Sequence, residues 1–384
     1  MDFKKMALAV QDEVVAFRHD LHEHPESSLK EFRTTDQIAK EMDKLNIPYQ
    51  RFDPTGLVAT IKGGKPGDKT IMLRADIDAL EIQEKTNLPF ASKEPGKMHA
   101  CGHDTHAAML VGAAKVLSKI KDEIPGTVKL LFQPAEEIGA GAKLVISQGA
   151  LDGVDAAFGI HIGAQRDLGS VYLVPGASHA ACDEFNITVT GKATHGARPE
   201  AGVDATVCAA AIVMNLQTIV SREVAPALPL VVTIGSLHSG SRFNIVSGEA
   251  KMAGTIRSYD VELHHSLPER VERIVKNIAA AYRCEAEIEY KMLTEPLINN
   301  NDMIELARQS AAKIINEDAK VITGTPAMGA EDFSEYSVLI PASFASLGCG
   351  GEYPGHSDHV VMDENAFPTG VALYCQVAWD FLNK

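Results

Sequence analysis

The 384-residue chain contains no Cys-x-x-Cys pair, one tryptophan, no internal repeat and no Gly/Ser linker. Without paired cysteine motifs, zinc ribbons and thioredoxin-type redox chemistry drop out, and six dispersed cysteines do not build a disulfide framework. No unbroken apolar run reaches the 18 or so residues that a membrane span needs. Before Gln11 only Met6–Val10 is apolar, too short for a signal-peptide core, so the expected location is the cytoplasm. Basic residues are also in short supply: 36 against 51 acidic ones, a formal charge of −15. Such a surface repels phosphate backbones and anionic lipids, which excludes nucleic acid and membrane as expected partners.

What is present suits a globular protein of about two domains, with 45% hydrophobic and 23% charged residues. Val14–Glu26 reads as a helix stopped by Pro25. Short β-branched runs then alternate with helical ones: strand Thr70–Arg74, helix Thr105–Lys121, strand Thr127–Gln133, helix Gly141–Gln148, strand Ala156–His161. This alternation predicts an α/β layer fold on a mixed, mostly parallel sheet. From Asp183 the rhythm changes. Strand Glu184–Thr190, helix Val203–Arg222, strands Leu230–Leu237 and Glu249–Ser258, helix Leu267–Tyr282 and strand Glu285–Lys291 follow in β-α-β-β-α-β order, a ferredoxin-like α+β pattern. The expected organisation is a catalytic domain in two parts, 1–182 and 293–384, interrupted by an inserted domain, 183–292.

Ligands of open α/β sheets sit beyond the carboxyl ends of the strands. There the sequence places Asp76 and Asp78, the pair Glu136-Glu137, His161, and His356 after strand Ala342–Leu347, while His99-Ala-Cys-Gly-His-Asp-Thr-His106 opens a helix. Cys101 and His103, two apart, can face one metal from an extended loop. Asp104 has the residue type and position of a helix cap. The other five cysteines, Cys182, Cys208, Cys284, Cys349 and Cys375, lie in apolar company and read as core filler. In the insertion, the Gly191–Pro199 turn carries His195. Asn244 and Arg257 lie downstream, and an arginine fork suits a carboxylate.

The ordered set Arg74-Ala-Asp-Ile-Asp-Ala-Leu80, His99-Ala-Cys-Gly-His-Asp104, Gln133-Pro-Ala-Glu-Glu137 and Gly159-Ile-His161 resembles the hippurate hydrolase branch of the aminoacylase and carboxypeptidase-type metallopeptidases, relatives of N-acetyl-diaminopimelate deacetylases and auxin-conjugate hydrolases. The resemblance runs from about Phe17 to the last turn. It implies two divalent ions per subunit (Mn²⁺ or Zn²⁺, with Co²⁺ and Ni²⁺ as further candidates) held by Cys101, His103, Glu137, His161 and His356. It implies Glu136 as general base, Asp78 as orienter of a ligand, His195 as oxyanion donor in the partner subunit's site, and Asn244 with Arg257 for a substrate carboxylate. It further implies a homodimer formed through the inserted lid, or a higher homo-oligomer. The expected reaction is hydrolysis of N-acyl amino acids to a carboxylic acid and a free amino acid, with a dipeptidase or carboxypeptidase as the alternative. The chain departs from the family in three places: Ser-Asp-His359 follows His356, leaving two histidines in competition; Ser-Arg-Phe precedes Asn244; and Glu81 follows Leu80.

Overall fold

A computed structural model describes all residues, Met1–Lys384, and divides them into two compact units. The first comprises Met1–Gly176, Ile298–Pro326 and Asp332–Lys384; the second comprises Ala177–Leu297 with Ala327–Glu331.

The first unit is built on an eight-stranded sheet, in the order Tyr49–Arg51, Leu57–Lys62, Pro125–Gln133, Lys65–Asp76, Ala156–Gly163, Ala342–Gly348, Val171–Leu173, Val321–Thr323. Its four middle strands, from Pro125–Gln133 to Ala342–Gly348, pair parallel. Strand Leu57–Lys62 and strand Val171–Leu173 add antiparallel neighbours, so the sheet is mixed. Ile71, Met72 and Leu73 are fully buried in succession, the continuous apolar run expected of a strand covered on both faces. The strand exceeds the predicted Thr70–Arg74 at both ends: it starts at Lys65, opposite Pro125, and Ala75 and Asp76 continue the ladder opposite Phe132 and Gln133.

Helices Gln11–His22, His103–Lys119 and Phe367–Leu382 pack on one another and on this core. Gly112 permits the approach: a Cβ there would lie 2.7 Å from methyl groups of both Val14 and Val371. The first of these helices ends at His22, short of the predicted Pro25, its last turn closed by Glu23 N–H donating to His19. A further helix, Phe32–Lys44, is not among the predicted elements.

A buried ion network ties the strand ends together. Arg74 donates to Asp76 (2.6 Å), Asp332 (2.7 Å) and Gln133 (2.9 Å), and Gln133 also accepts from the Tyr336 hydroxyl at 2.8 Å. A buried guanidinium costs several kcal/mol unless its donors find partners.

In the second unit a four-stranded antiparallel sheet, in the order Leu230–Ser239, Glu249–Ser258, Cys182–Thr190, Glu285–Thr294, is covered by helices Ala205–Thr218 and Val261–Ala281. The second helix begins six residues before the predicted Leu267, because Asp260 caps it by accepting from Leu263 N–H, and Pro268 lies inside it. The run Ala205–Glu223 is long and apolar enough, by length and composition, to cross a membrane. Asn215, Gln217 and Thr218 interrupt its apolar letters without adding charge, so no unbroken apolar run marks it in the sequence. In this unit its buried face, Cys208, Ile212, Leu216 and Ile219, packs into the core, while Val207, Met214 and Val220 are exposed. All six cysteines are free; Cys208, Cys284, Cys349 and Cys375 are buried and Cys182 half-buried.

Candidate metal centre

Strand Lys65–Asp76 runs into Asp78, whose carboxylate organises the site. It accepts from Ser28 (2.6 Å), from the backbone N–H of Glu136 and Glu137 (3.1 Å each), and lies 3.2 Å from His103 Nδ1. Burial raises its proton affinity, but the His103 bond and its other donors outweigh that and hold it below the usual carboxylate range. Because Asp78 takes Nδ1, His103 turns Nε2 toward the open centre. The turn before the glutamates is strained: Ala135 adopts φ 55°, a left-handed conformation that costs about 1 kcal/mol or more for a residue with a Cβ. Its amide is held by the Glu31 carboxylate at 2.9 Å.

Cys101 and His103 sit where the loop enters helix His103–Lys119, with Gly102 at φ 93°. A side chain at Gly102 would collide with Ile162 at 2.1 Å. The Cys101 thiol is 3.3 Å from His161 Nε2 and 3.3 Å from His356 Nε2. Glu137 Oε1 is 3.9 Å from His356 Nε2 and 3.8 Å from His103 Nε2, which is itself 3.9 Å from Glu136 Oε2. Three overlapping groups thus converge: Cys101–His103–His161, Cys101–Glu137–His356 and His103–Glu136–Glu137. His359 is turned away, its ring tilted beside Tyr353 and bonded to Asp358 at 2.5 Å, so His356 is the histidine brought to the thiol. His356 holds φ 66°, with its N–H on the Ala100 carbonyl.

Two atoms at this centre, His103 Nε2 and Glu137 Oε1, are buried with no hydrogen-bond partner. An orphaned buried polar atom costs about 1–3 kcal/mol, and the two face each other across the convergence. Burial also pushes the Cys101 thiol and the Glu137 carboxyl upward, since Asp76, Asp78, Glu136 and Glu137 already crowd the site with negative charge. Donors of S, N and O type spaced this way fit divalent cations, whose ligands stand about 2.0–2.3 Å from the ion and hence 3–4 Å from each other.

His106 carries a positioning role that its place in the sequence does not announce. It follows His103 at helical spacing i+3, a signal that the two share a face. Its Nε2 accepts from Ile162 N–H at 2.8 Å and its Nδ1 meets Asp76 at 2.5 Å, while burial pulls its pKa down to about 4. Asp104 is no cap. No side chain caps this helix, and the Asp104 carboxylate instead takes Arg18 Nε at 2.7 Å and His22 Nδ1 at 2.8 Å.

In the second unit, His195 lies exposed on a short ribbon, Thr194–His195 against Ile245–Val246, beside Asn244, whose carbonyl accepts from Gly196 N–H at 2.7 Å. Ala197 N–H donates to His195 Nδ1 at 3.0 Å, which leaves the ring proton on Nε2. Arg257, on strand Glu249–Ser258, is half-buried near Cys182.

A mixed α/β unit that gathers thiol, imidazole and carboxylate donors beyond its strand ends, joined to a ferredoxin-like insertion, defines a metallohydrolase of the dinuclear peptidase type. Residues 72–380 match the model of peptidase family M20/M25/M40, and the chain belongs to that family. It is similar to the N-acetyl-L-cysteine deacetylase of Bacillus subtilis, 39% identical over 93% of this chain and 85% of that protein. It is also similar to thermostable carboxypeptidase 1 of Saccharolobus solfataricus, 38% identical over 98% of this chain and 97% of the other. A solved Bacillus subtilis structure, described as a dinuclear metal-binding peptidase of the M20 family, superposes with a TM-score of 0.86 at 34% identity and covers 98% of this chain and 99% of its own.

Proposed function

We propose that the protein hydrolyses the amide bond of N-acyl amino acids, with two divalent transition ions held by Cys101, His103, Glu137, His161 and His356. The observation that carries this reading is the pair of partnerless buried atoms, His103 Nε2 and Glu137 Oε1, beside a thiol bracketed by two imidazoles. The ions, when bound, supply Lewis acidity to the attacking water and to the scissile carbonyl. The thiolate favours Zn²⁺, while the carboxylate and imidazoles serve Mn²⁺ equally well.

The rest of the chemistry belongs to the chain. Glu136 accepts the water's proton and delivers it to the leaving nitrogen; its backbone is pinned by Asp78, so the side chain starts from a fixed origin. Asp78 keeps His103 in the tautomer that turns Nε2 toward the ions. His195 brings a donor, Nε2–H, suited to a tetrahedral oxyanion. Arg257 and Asn244 hold the free carboxylate of the substrate. The ion pairs of their unit are made by other cations, Arg270 and Arg273 with Glu223 and His264 with Asp183, which leaves Arg257 for that task. The exposed face Val207, Met214 and Val220 supports a homodimer through the lid.

A panel of N-acetyl, N-benzoyl and longer N-acyl amino acids, run beside dipeptides with Mn²⁺, Zn²⁺ or Co²⁺, tests the substrate class. Turnover of dipeptides well above that of every N-acyl amino acid would instead favour the carboxypeptidase or dipeptidase reading, which the Saccharolobus relative keeps in view.

Arg257→Ala is expected to cost about 2–4 kcal/mol in kcat/KM for substrates with a free α-carboxylate. The matching amides, lacking the charge, lose much less. Equal losses on acid and amide would take Arg257 out of the carboxylate pocket.

His195 in the partner subunit's site has its own test. His195→Ala and Glu136→Gln are each nearly inactive, and random re-pairing makes about half the dimers mixed. A mixed dimer holds one doubly damaged site and one intact one, so about a quarter of wild-type activity returns. Co-purification of two differently tagged mutants shows that subunits have exchanged. Exchange without recovery places His195 in its own chain's site.

A further inference from the structure

The second unit holds a separate cluster of metal-ligand residue types that hydrolysis does not use. His264 and His265 stand in the first turns of helix Val261–Ala281, and Glu295 follows the end of strand Glu285–Thr294. His264 Nδ1 lies 3.2 Å from Glu295 Oε2 and His265 Nε2 lies 2.8 Å from Glu295 Oε1. One ligand atom from each of the three lies within 4.8 Å of the others.

The far side of His264 is equally specific. Its Nε2 meets Asp183 Oδ1 at 2.7 Å, and the other oxygen of that buried carboxylate accepts the Tyr290 hydroxyl at 2.5 Å. A carboxylate behind one ring nitrogen is the arrangement that fixes the tautomer of a metal-ligating histidine and raises its basicity. His264 is 1% exposed and His265 53%, so the cluster has a dry wall and an open side through which an ion can enter.

We propose that His264 Nδ1, His265 Nε2 and Glu295 form a second, structural metal site in this unit, selective for Zn²⁺ or a similar borderline-soft divalent ion. Two imidazoles and one carboxylate, with a fourth position open to water, suit such an ion in tetrahedral geometry and suit Mg²⁺ or Ca²⁺ poorly. Donors about 2.0–2.1 Å from a tetrahedral ion stand roughly 3.3 Å apart, close to the separations seen here. The site ties the end of the last strand to the start of the helix that covers it.

The test uses the full chain, stripped of metal, dialysed against Zn²⁺ and freed of loose ion, with bound zinc counted by elemental analysis. His265→Ala and Glu295→Gln are each expected to hold about one zinc per chain fewer than the parent, while hydrolysis of an N-acyl amino acid stays within about twofold. His265 is exposed, so its removal leaves the fold intact, and a circular-dichroism melt confirms this. Crystals grown with Zn²⁺ show an anomalous peak between the three side chains. Equal zinc content in the parent and both variants, or no peak at that position, overturns the proposal. The count is independent of whether the catalytic centre works as proposed, because those ligands are untouched.

Discussion

Prolonged chelation takes hydrolysis of an N-acyl amino acid down to the uncatalysed background, and one added divalent ion restores it. This loss is the largest expected, because it removes the only source of Lewis acidity. Free water has a pKa near 15.7 and offers almost no nucleophile at neutral pH, whereas a catalytic metal brings it to about 7. The stripped centre is also unfavourable in itself: His103 Nε2 and Glu137 Oε1 stay buried and unsatisfied, and four carboxylates crowd one pocket. A thiol hydrolase using Cys101 as nucleophile would survive chelation. The thiol's surroundings oppose that role, since burial beside Glu136 and Glu137 pushes its pKa up and a reactive cysteine needs the reverse. Protein shown to be metal-free by elemental analysis yet fully active would falsify the metal reading.

Glu136→Gln is expected to keep both ions and to lose about 10²–10⁴ in kcat, the usual worth of a general base. Glu137→Gln is expected to weaken metal binding, with activity recovering at high metal concentration. The adjacent residues separate because the left-handed Ala135 and the Asp78 clamp on both amides fix the direction of each side chain. Glu137 Oε1 lies within 4 Å of both His103 and His356 Nε2, and Glu136 Oε2 lies 3.9 Å from His103 Nε2. Metal titration by calorimetry beside steady-state kinetics distinguishes the two. A Glu136→Gln chain that loses its ions, with a Glu137→Gln chain that keeps them and loses turnover, reverses the assignment.

Much of this site was legible in the sequence because its signals are local. Cys101-Gly-His103 and Glu136-Glu137 announce themselves by residue type within a few positions, and each follows or precedes a run with clear periodicity. The strand beginning at Thr70 could be placed from its β-branched and apolar letters alone. What stayed hidden depends on distant partners. Nothing near Asp104 says that Arg18 and His22 will claim its carboxylate, so a capping role looked natural. His356 and His359 are equally plausible as letters; only the fold turns one to Cys101 and the other to Asp358. The true start of helix Val261–Ala281 rests on Asp260, three residues before Leu263, a single side-chain bond that leaves little trace in the letters.

The interleaving of the two units has a consequence for how the chain comes into being. Strand Ala342–Gly348 pairs with Ala156–Gly163, and Asp332 answers Arg74 across 258 residues. A ribosome releasing the chain from its N-terminus therefore delivers Cys101, His103, Glu137 and His161 long before the sheet can close around them. The insertion, almost wholly contiguous between Ala177 and Leu297, has its own core complete at that point and can fold first. Until the last hundred residues emerge, the half-built catalytic sheet exposes the unpaired edge of Ala156–Gly163. An unpaired strand edge of this kind is open to wrong pairing until its partner strand arrives.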